Sequence, residues 1–251
     1  MANFISQFFC KKRKIRRFQR EFKSLEQMAS ASLPRFTLAW DDRYPCLDDR
    51  TGSTLFDPHY IYHTSWAARK VCQTLPSFHV DISSSLYFCS LVSAFVPVRF
   101  YDYRPAQLKL SDLACERADL TRLPFPDSSV ASLSCMHVVK HIGLGRYGDP
   151  LDYDGDLKAM AELRRVLAPG GSLLFVVPVG RPVIRFNAHR IYAYSQIREA
   201  FPDLALKEFT LIPDSAGETG LMIDCDPAMV KEQNYACGCF LFKRESTGAA
   251  L

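Results

Sequence analysis

Three acidic residues follow successive apolar runs in this chain. Asp81 lies in Phe78-His79-Val80-Asp81-Ile82, Asp102 follows Val98 to Tyr101, and Asp119 follows the run that begins near Leu113. If these runs are strands of one parallel sheet, the three carboxylates share one rim. A carboxylate roughly 20 residues after a tight turn, at the end of the second strand, can accept both hydroxyls of a ribose. The turn itself is Ser83-Ser84-Ser85. Its small side chains and free N–H groups near a helix start would let a ligand come close. The rival reading makes Asp81 and Asp102 turn or capping carboxylates. A fourth apolar run ends in Cys135-Met136-His137, with His141 and His189 further on. Imidazole titrates near neutrality and suits a general base. For each histidine a structural hydrogen bond is the competing role.

The elements that must position these residues are legible around Val130 to Gly180. Met160, Leu163 and Leu167 recur at helical spacing, with Leu157 and Val166 beside them. Asp154 or Asp156 can cap that helix, and Pro169-Gly170-Gly171 can end it. Leu173 to Val179 then reads as a strand covered on both faces. Strand, loop, helix and strand together form the repeating piece of an α/β fold. Ligands in such sheets bind at the C-terminal strand ends, so the polar loop Gly143 to Gly155 is placed to cover a site. Phe78 to Ile82, a helix over Leu86 to Phe95, and Val98 to Tyr101 form a second unit. A polar loop from Phe186 to Tyr192 runs into a helix ending near Phe201. Strands at Leu204–Ile212 and Cys237–Lys243 complete a sheet of seven, the last antiparallel, with an irregular excursion between them from Asp214 to Gln233.

The size of 251 residues suits one domain with an appendage. Nine cysteines are scattered with no C-x-x-C pair, as expected of reduced thiols in the cytoplasm. Cys237 and Cys239 fall on one face of a strand, and no second soft-ligand pair completes a tetrahedral metal set. Asp152, Asp154 and Asp156 alternate as in a calcium loop but lack its downstream Gly and Glu. No metal is expected.

The net charge of +4 is misleading. Lys11, Lys12, Arg13, Lys14, Arg16, Arg17, Arg20 and Lys23 oppose only Glu21, a local +7 that leaves −3 for the rest. Residues 1–30 form a basic amphipathic helix with Phe8, Ile15, Phe18, Phe22 and Leu25 on its stripe. It can pack on the protein or a partner, lie peripherally on an anionic membrane, or touch nucleic acid. The first is favoured, membrane contact comes second, and no specific nucleic acid is expected. Residues 31–77 hold a linker and a covering helix from Tyr60 to Leu75, where His59 and His63 read as surface or packing histidines. Residues 78–245 form the main domain and 246–251 a tail.

With these residues laid out, the chain resembles a class I S-adenosylmethionine-dependent methyltransferase from roughly Phe78 to Lys243. The signals are Ala118-Asp119 through Leu123-Pro124-Phe125 to Ser128, and Leu167-Ala168-Pro169-Gly170-Gly171 before a strand. The resemblance implies a doubly wound, mostly parallel seven-stranded α/β sheet with an N-terminal helical extension. It implies S-adenosyl-L-methionine as cofactor. Asp102 would hold the ribose, Asp119 with Leu120 would face the adenine, and Asp81 to Ser85 would stand for the first motif, with His137 beside the cofactor. His141 to Pro150, with Asn187 to Arg190, is similar to a narrower group, the family called domain of unknown function 268. Two departures stand out: serines replace the usual glycines after Asp81, and Lys140 stands where relatives often have glutamate.

The expected function is methyl transfer to a small-molecule or glycan acceptor, with His137, His141 or His189 as base. Arg146, Tyr147, Asp149 and Arg190 would either bind the acceptor or tie the two loops together. The alternative is an inactive binding or scaffold protein on the same fold, favoured by the serines and Lys140.

Overall fold

The computed structural model describes residues 2–33 and 35–246, with side chains from residue 9 onward. Phe8's side chain and the tail beyond residue 246 lie outside the described residues. Two compact units result, Met1–Phe56 and Asp57–Leu251.

In the first unit, α1 (Ala2–Ser30) is a single helix. Phe18 and Phe22 pack on Trp40, the latter edge-on at 4.9 Å. Lys14 pairs with Asp48, and Arg50 reaches Glu21 at 3.4 Å. The segment after the helix therefore folds back along it and covers part of its apolar stripe. Ile15, Leu25 and Met28 remain exposed.

The second unit begins with α2 (Pro58–Thr74), capped by Asp57, whose side chain accepts from Tyr60 N. Next come β1 (His79–Ile82), α3 (Leu86–Val92), β2 (Val98–Asp102), β3 (Leu113–Arg117) and β4 (Val130–Met136). They are followed by α4 (Gly155–Val166), β5 (Leu167–Val179), β6 (Val183–Arg185), β7 (His189–Ile191) and α5 (Tyr194–Ala200). The chain ends with β8 (Ala205–Ile212), α6 (Ala216–Thr219) and β9 (Ala236–Lys243). Seven strands form one sheet in the order β3-β2-β1-β4-β5-β9-β8. All its pairings are parallel except those of β9 with β5 and β8. This is the doubly wound, mostly parallel sheet expected from the alternation of apolar runs and helices.

Each face of the sheet is covered. On one, Trp66 and Val71 of α2 and Phe88 of α3 pack with Met136, Val176, Cys237 and Cys239. On the other, Met160 and Leu163 of α4 and Ile197 of α5 pack with Leu133, Phe175 and Phe240. Continuous burial along β5 from Leu173 to Val179 follows from this double cover, apart from alternation at its entry. Trp66 donates its indole N–H to Glu208 on β8 at 2.7 Å, and Lys70 pairs with the same carboxylate. Those contacts lock α2 to the sheet, so its first turn projects over the strand ends.

Three local readings need correction. β5 starts at Leu167, six residues before the expected Leu173, because Gly170 at φ +74° turns the chain without ending its pairing. Gly170 N–H bonds to Arg244 O and Arg244 N–H to Gly171 O, and a bulge against β4 absorbs the extra length. Neither aspartate caps α4 through its side chain. Asp154 makes no cap bond, while Asp156 is buried and accepts from Tyr192 Oη at 2.9 Å. The segment before α5 is a hairpin, β6–β7, rather than a loop.

Candidate active site

Parallel pairing sets β1, β2 and β4 side by side, so their C-terminal ends form one rim. β1 leaves the sheet through Ser83, which takes the left-handed conformation (φ +53°). A glycine would hold that angle without a side-chain cost. Ser83 compensates with two bonds to Tyr101 O, from its N–H at 2.8 Å and its Oγ at 3.0 Å. Ser84 Oγ accepts from Met136 N–H at 2.9 Å and so joins the turn to the end of β4. Ser85 precedes α3 and forms no side-chain cap. Only the first serine occupies the backbone region that favours glycine.

Asp81 lies under this turn and is fully buried. Its carboxylate accepts from Ser84 N–H at 2.9 Å and from the Ser134 hydroxyl. Ser134 Oγ in turn lies 2.8 Å from His79 Nε2, and His79 Nδ1 lies 2.7 Å from Ser132 Oγ. Burial raises Asp81 to about 6 and lowers His79 to about 3. Asp81 thus shapes the turn from beneath and does not line the cavity above it, which corrects its expected place as a direct cofactor contact.

The cavity over the rim has a volume of about 340 Å³. Its walls include Ser83, Ser84, Asp102, Asp119, Leu120, Met136 and His137. Asp102 ends β2 and accepts from Arg104 N–H at 2.7 Å. Asp119 lies two residues past β3, where its Oδ1 accepts from Thr121 N–H at 2.8 Å and from Thr121 Oγ1 at 2.7 Å. A bond from Ala118 N–H to Asp102 O holds these two strand ends together. The rim therefore presents two carboxylates to the cavity, with Asp81 below.

The cover is the loop after β4. Gly143 (φ +79°) passes so close to Asp152 that a Cβ there would sit 2.0 Å from its carbonyl oxygen. Asp149 accepts from Gly143 N–H at 2.8 Å and Tyr147 N–H at 3.1 Å, so it holds the loop's own backbone while lining the cavity. Tyr147 also lines the cavity, with the guanidinium groups of Arg104 and Arg146 4.8 and 5.2 Å from its ring centre. Arg146 bonds Ala188 O at 3.0 Å. Arg190 is buried and donates to Ile142 O at 2.6 Å and Tyr153 O at 3.0 Å. Arg146 and Arg190 thus bond the backbone of the facing loops, and neither lines the cavity.

His137 follows β4 at φ +62° and is buried at the cavity wall. Strained angles of this kind gather where surrounding structure fixes a residue for a task. Burial and its cationic neighbours hold its pKa well below the usual value. His141 also lines the cavity. Its Nδ1 donates to Ala188 O at 2.6 Å, and burial lowers its pKa to about 4. Burial therefore keeps both rings neutral at physiological pH. His189 stacks against Tyr235 at 4.9 Å and does not line the cavity, which corrects its place among the candidate bases.

The first turn of α2 supplies what sequence reasoning missed. Tyr60 lines the same cavity, 5.5 Å from the His137 ring. His59 stacks on His137 at 5.6 Å, and His63 meets it edge-on at 4.9 Å. Lys140 is buried nearby, and burial lowers its amine to about 8. The one signal in the sequence was the i, i+4 spacing of His59 and His63 on a helix preceding the sheet.

The comparisons can now be set against this geometry. The profile of the family described as "Caenorhabditis protein of unknown function, DUF268" matches residues 125–235. Over that stretch the chain is similar to this family. The matched region contains His137, Lys140, the cover loop and the β6–β7 hairpin, whereas Asp81, Asp102 and Asp119 precede it. No curated protein matches the sequence. Solved structures match the fold. The N-methyltransferase NodS from Bradyrhizobium japonicum WM9, in complex with S-adenosyl-L-homocysteine, is 12% identical, with a TM-score of 0.53 over 75% of this chain and 88% of that one. A protein assigned as a sarcosine dimethylglycine methyltransferase from Galdieria sulphuraria is 15% identical, with a TM-score of 0.53 over 74% and 86%. The [4+2]-cyclase SpnF is 12% identical, with a TM-score of 0.50 over 73% and 81%. The chain has the class I methyltransferase-like fold, and at these identities the likeness shows the fold alone.

Proposed function

We propose that this protein is an S-adenosyl-L-methionine-dependent methyltransferase acting on a polar small molecule or glycan. The observation that carries the reading is the single cavity lined by Ser83, Ser84, Asp102, Asp119, Leu120 and His137 at the C-terminal rim. Its donor set fits the cofactor. Asp102 is placed for the ribose hydroxyls, and Leu120 with Asp119 offers an apolar surface beside a carboxylate for the adenine. Ser83 keeps the turn tight through its left-handed angle, which answers the departure from glycine.

When bound, the cofactor supplies an electrophilic methyl on a sulfonium. The protein's share is alignment, exclusion of water and proton removal. His137 is the proposed base because it lines the cavity beside the strand end, with His141 second. Tyr60, Tyr103, Arg104 and Tyr147 give the acceptor side aromatic and polar walls suited to a hydroxylated substrate. The test is methyl transfer from isotopically labelled cofactor to pools of sugars and hydroxylated metabolites. Transfer that falls at least tenfold in His137→Ala, with cofactor affinity unchanged, supports the assignment. Unchanged transfer in that variant removes His137 as base.

A separate proposal concerns α1. Lys12, Arg13, Arg16, Arg20 and Lys23 are exposed along one hollow with Phe9, and an anionic membrane surface is their proposed partner. No helix among the described residues is long and apolar enough to cross a membrane. Co-sedimentation with phosphatidylserine vesicles should fall when residues 1–30 are removed; equal binding would refute this contact.

A further inference from the structure

Behind His137 the wall changes character. One ligand atom each from His59, His137 and Cys237 lies within 4.8 Å of the others. His137 and Cys237 are buried, and His59 is half-buried. His137 Nε2 is 3.5 Å from Cys237 Sγ. Metal–nitrogen and metal–sulfur bonds of about 2.0 and 2.3 Å at a tetrahedral angle would place those atoms about 3.5 Å apart. We propose that His59, His137 and Cys237 form a binding site for a divalent transition metal of the zinc class, with a fourth position open to the adjoining cavity.

Three further observations point the same way. His59 is held by Tyr235, whose ring stacks on it at 5.1 Å. His63, one helical turn on, places its Nδ1 2.6 Å from His59 O. A carbonyl only accepts, so Nδ1 carries the proton and Nε2 keeps a lone pair. That Nε2 is buried and has no hydrogen-bond partner among the described residues, and its ring lies 4.9 Å from His137. Imidazole and thiolate together favour zinc, cobalt or copper over magnesium or calcium. The C-x-C pattern did not reveal this set, because its other ligands come from α2 and from the end of β4.

The cavity beside the cluster holds about 390 Å³ and is lined by Asp57, His59, Tyr60, His137, Lys140, Asp214 and Tyr235, among others. Asp57 and Asp214 favour a dication there, and Lys140 opposes it. Tyr60 and His137 line this cavity and the cofactor cavity alike. A ligand in the open position would therefore stand at their junction. Binding replaces the Cys237 S–H bond by a sulfur–metal bond and releases that proton to solvent.

The site shares His137 with the methyl-transfer reading, and a metal on that ring would leave His141 as the base; it is tested without cofactor. The full chain is titrated with Co²⁺ alone while the optical spectrum and proton release are followed. One equivalent should bind with a thiolate-to-cobalt charge-transfer band. Cys237→Ser should lose the band, and His59→Gln should weaken binding by more than about 100-fold, beyond what a supporting residue contributes. Cys239→Ser should keep both band and affinity. No band in the wild-type chain under excess Co²⁺ would overturn the proposal, whatever the variants do. So would a band that survives Cys237→Ser or one that disappears in Cys239→Ser. Circular dichroism of each variant separates loss of a ligand from loss of fold.

Discussion

The two ends of the rim are built on different principles. Toward β1, β2 and β3 it carries carboxylates and serines, each within a few residues of a strand end. Toward β4 and β9 it carries imidazoles, a thiol and an amine, drawn from α2, β4, the turn after it and β9. The acidic half is fixed by local hydrogen bonds, such as Asp102 to Arg104 N–H and Asp119 to Thr121. The imidazole half is held by packing between elements distant in sequence, with several nitrogens left unpartnered. A carboxylate rim fixed by local bonds thus adjoins an imidazole wall that depends on the whole fold.

Acid should separate the halves most sharply. Burial lowers His63 and His141 to about 4. Both bind a proton in the unfolded chain near pH 6.5 but stay neutral when folded. The unfolded state then holds more protons, so their share of stability is intact above pH 6.5 and is lost between there and about pH 4. Each net proton contributes roughly 1.4 kcal/mol per pH unit over that window. Asp81 runs the other way. Its folded pKa of about 6 exceeds the unfolded value, so its share is full below the unfolded pKa and is lost as pH rises through 6. Two histidines outweigh one aspartate, and His79, lowered to about 3, adds to their side. Chemical denaturation from pH 7.5 to 4.5 should show falling stability, and His63→Gln should flatten the fall.

The next largest effect is Asp81→Ala. It strips partners from Ser84 N–H and the Ser134 hydroxyl in the core. The loss should be about 2–4 kcal/mol by denaturant midpoint, from two buried donors left unsatisfied. If the midpoint barely moves, Asp81 is not the brace of the turn.

Asp102→Ala should do the reverse. Asp102 is half-buried at the end of β2, so the fold should survive. Cofactor affinity should drop about 10- to 100-fold, the worth of charge-assisted bonds to a ribose. Calorimetry on this variant checks both points. Asp119→Ala should cost less, within about tenfold, because Asp119 is exposed and its Oδ1 already bonds Thr121. An Asp119 effect larger than that of Asp102 would reverse the assigned order of contacts.

The acidic half was legible because strand ends are marked by the end of an apolar run. Asp102 and Asp119 reached the expected rim for that reason. Asp81 was placed correctly in its strand, but its direction depended on Ser134, a residue of a different strand. The sheet order followed from alternation, yet the start of β5 was missed because Pro169-Gly170-Gly171 reads as a stop while serving as a bulge. The β6–β7 hairpin was missed because Phe186-Asn187-Ala188 lacks the usual glycine or proline turn signal. The imidazole cluster left little trace beyond the i, i+4 spacing of His59 and His63. His59, His137 and Cys237 lie on α2, past β4 and on β9, and the packing of α2 on the sheet, with Trp66 and Lys70 bonded to Glu208, brings them together.

The most direct measurement is isothermal calorimetry of the full chain with S-adenosyl-L-methionine and with S-adenosyl-L-homocysteine. One site per chain, in the micromolar range or tighter for both, and weakened by Asp102→Ala, is the predicted outcome. Heats no larger than dilution for either nucleoside, from protein shown to be folded, would contradict the central claim.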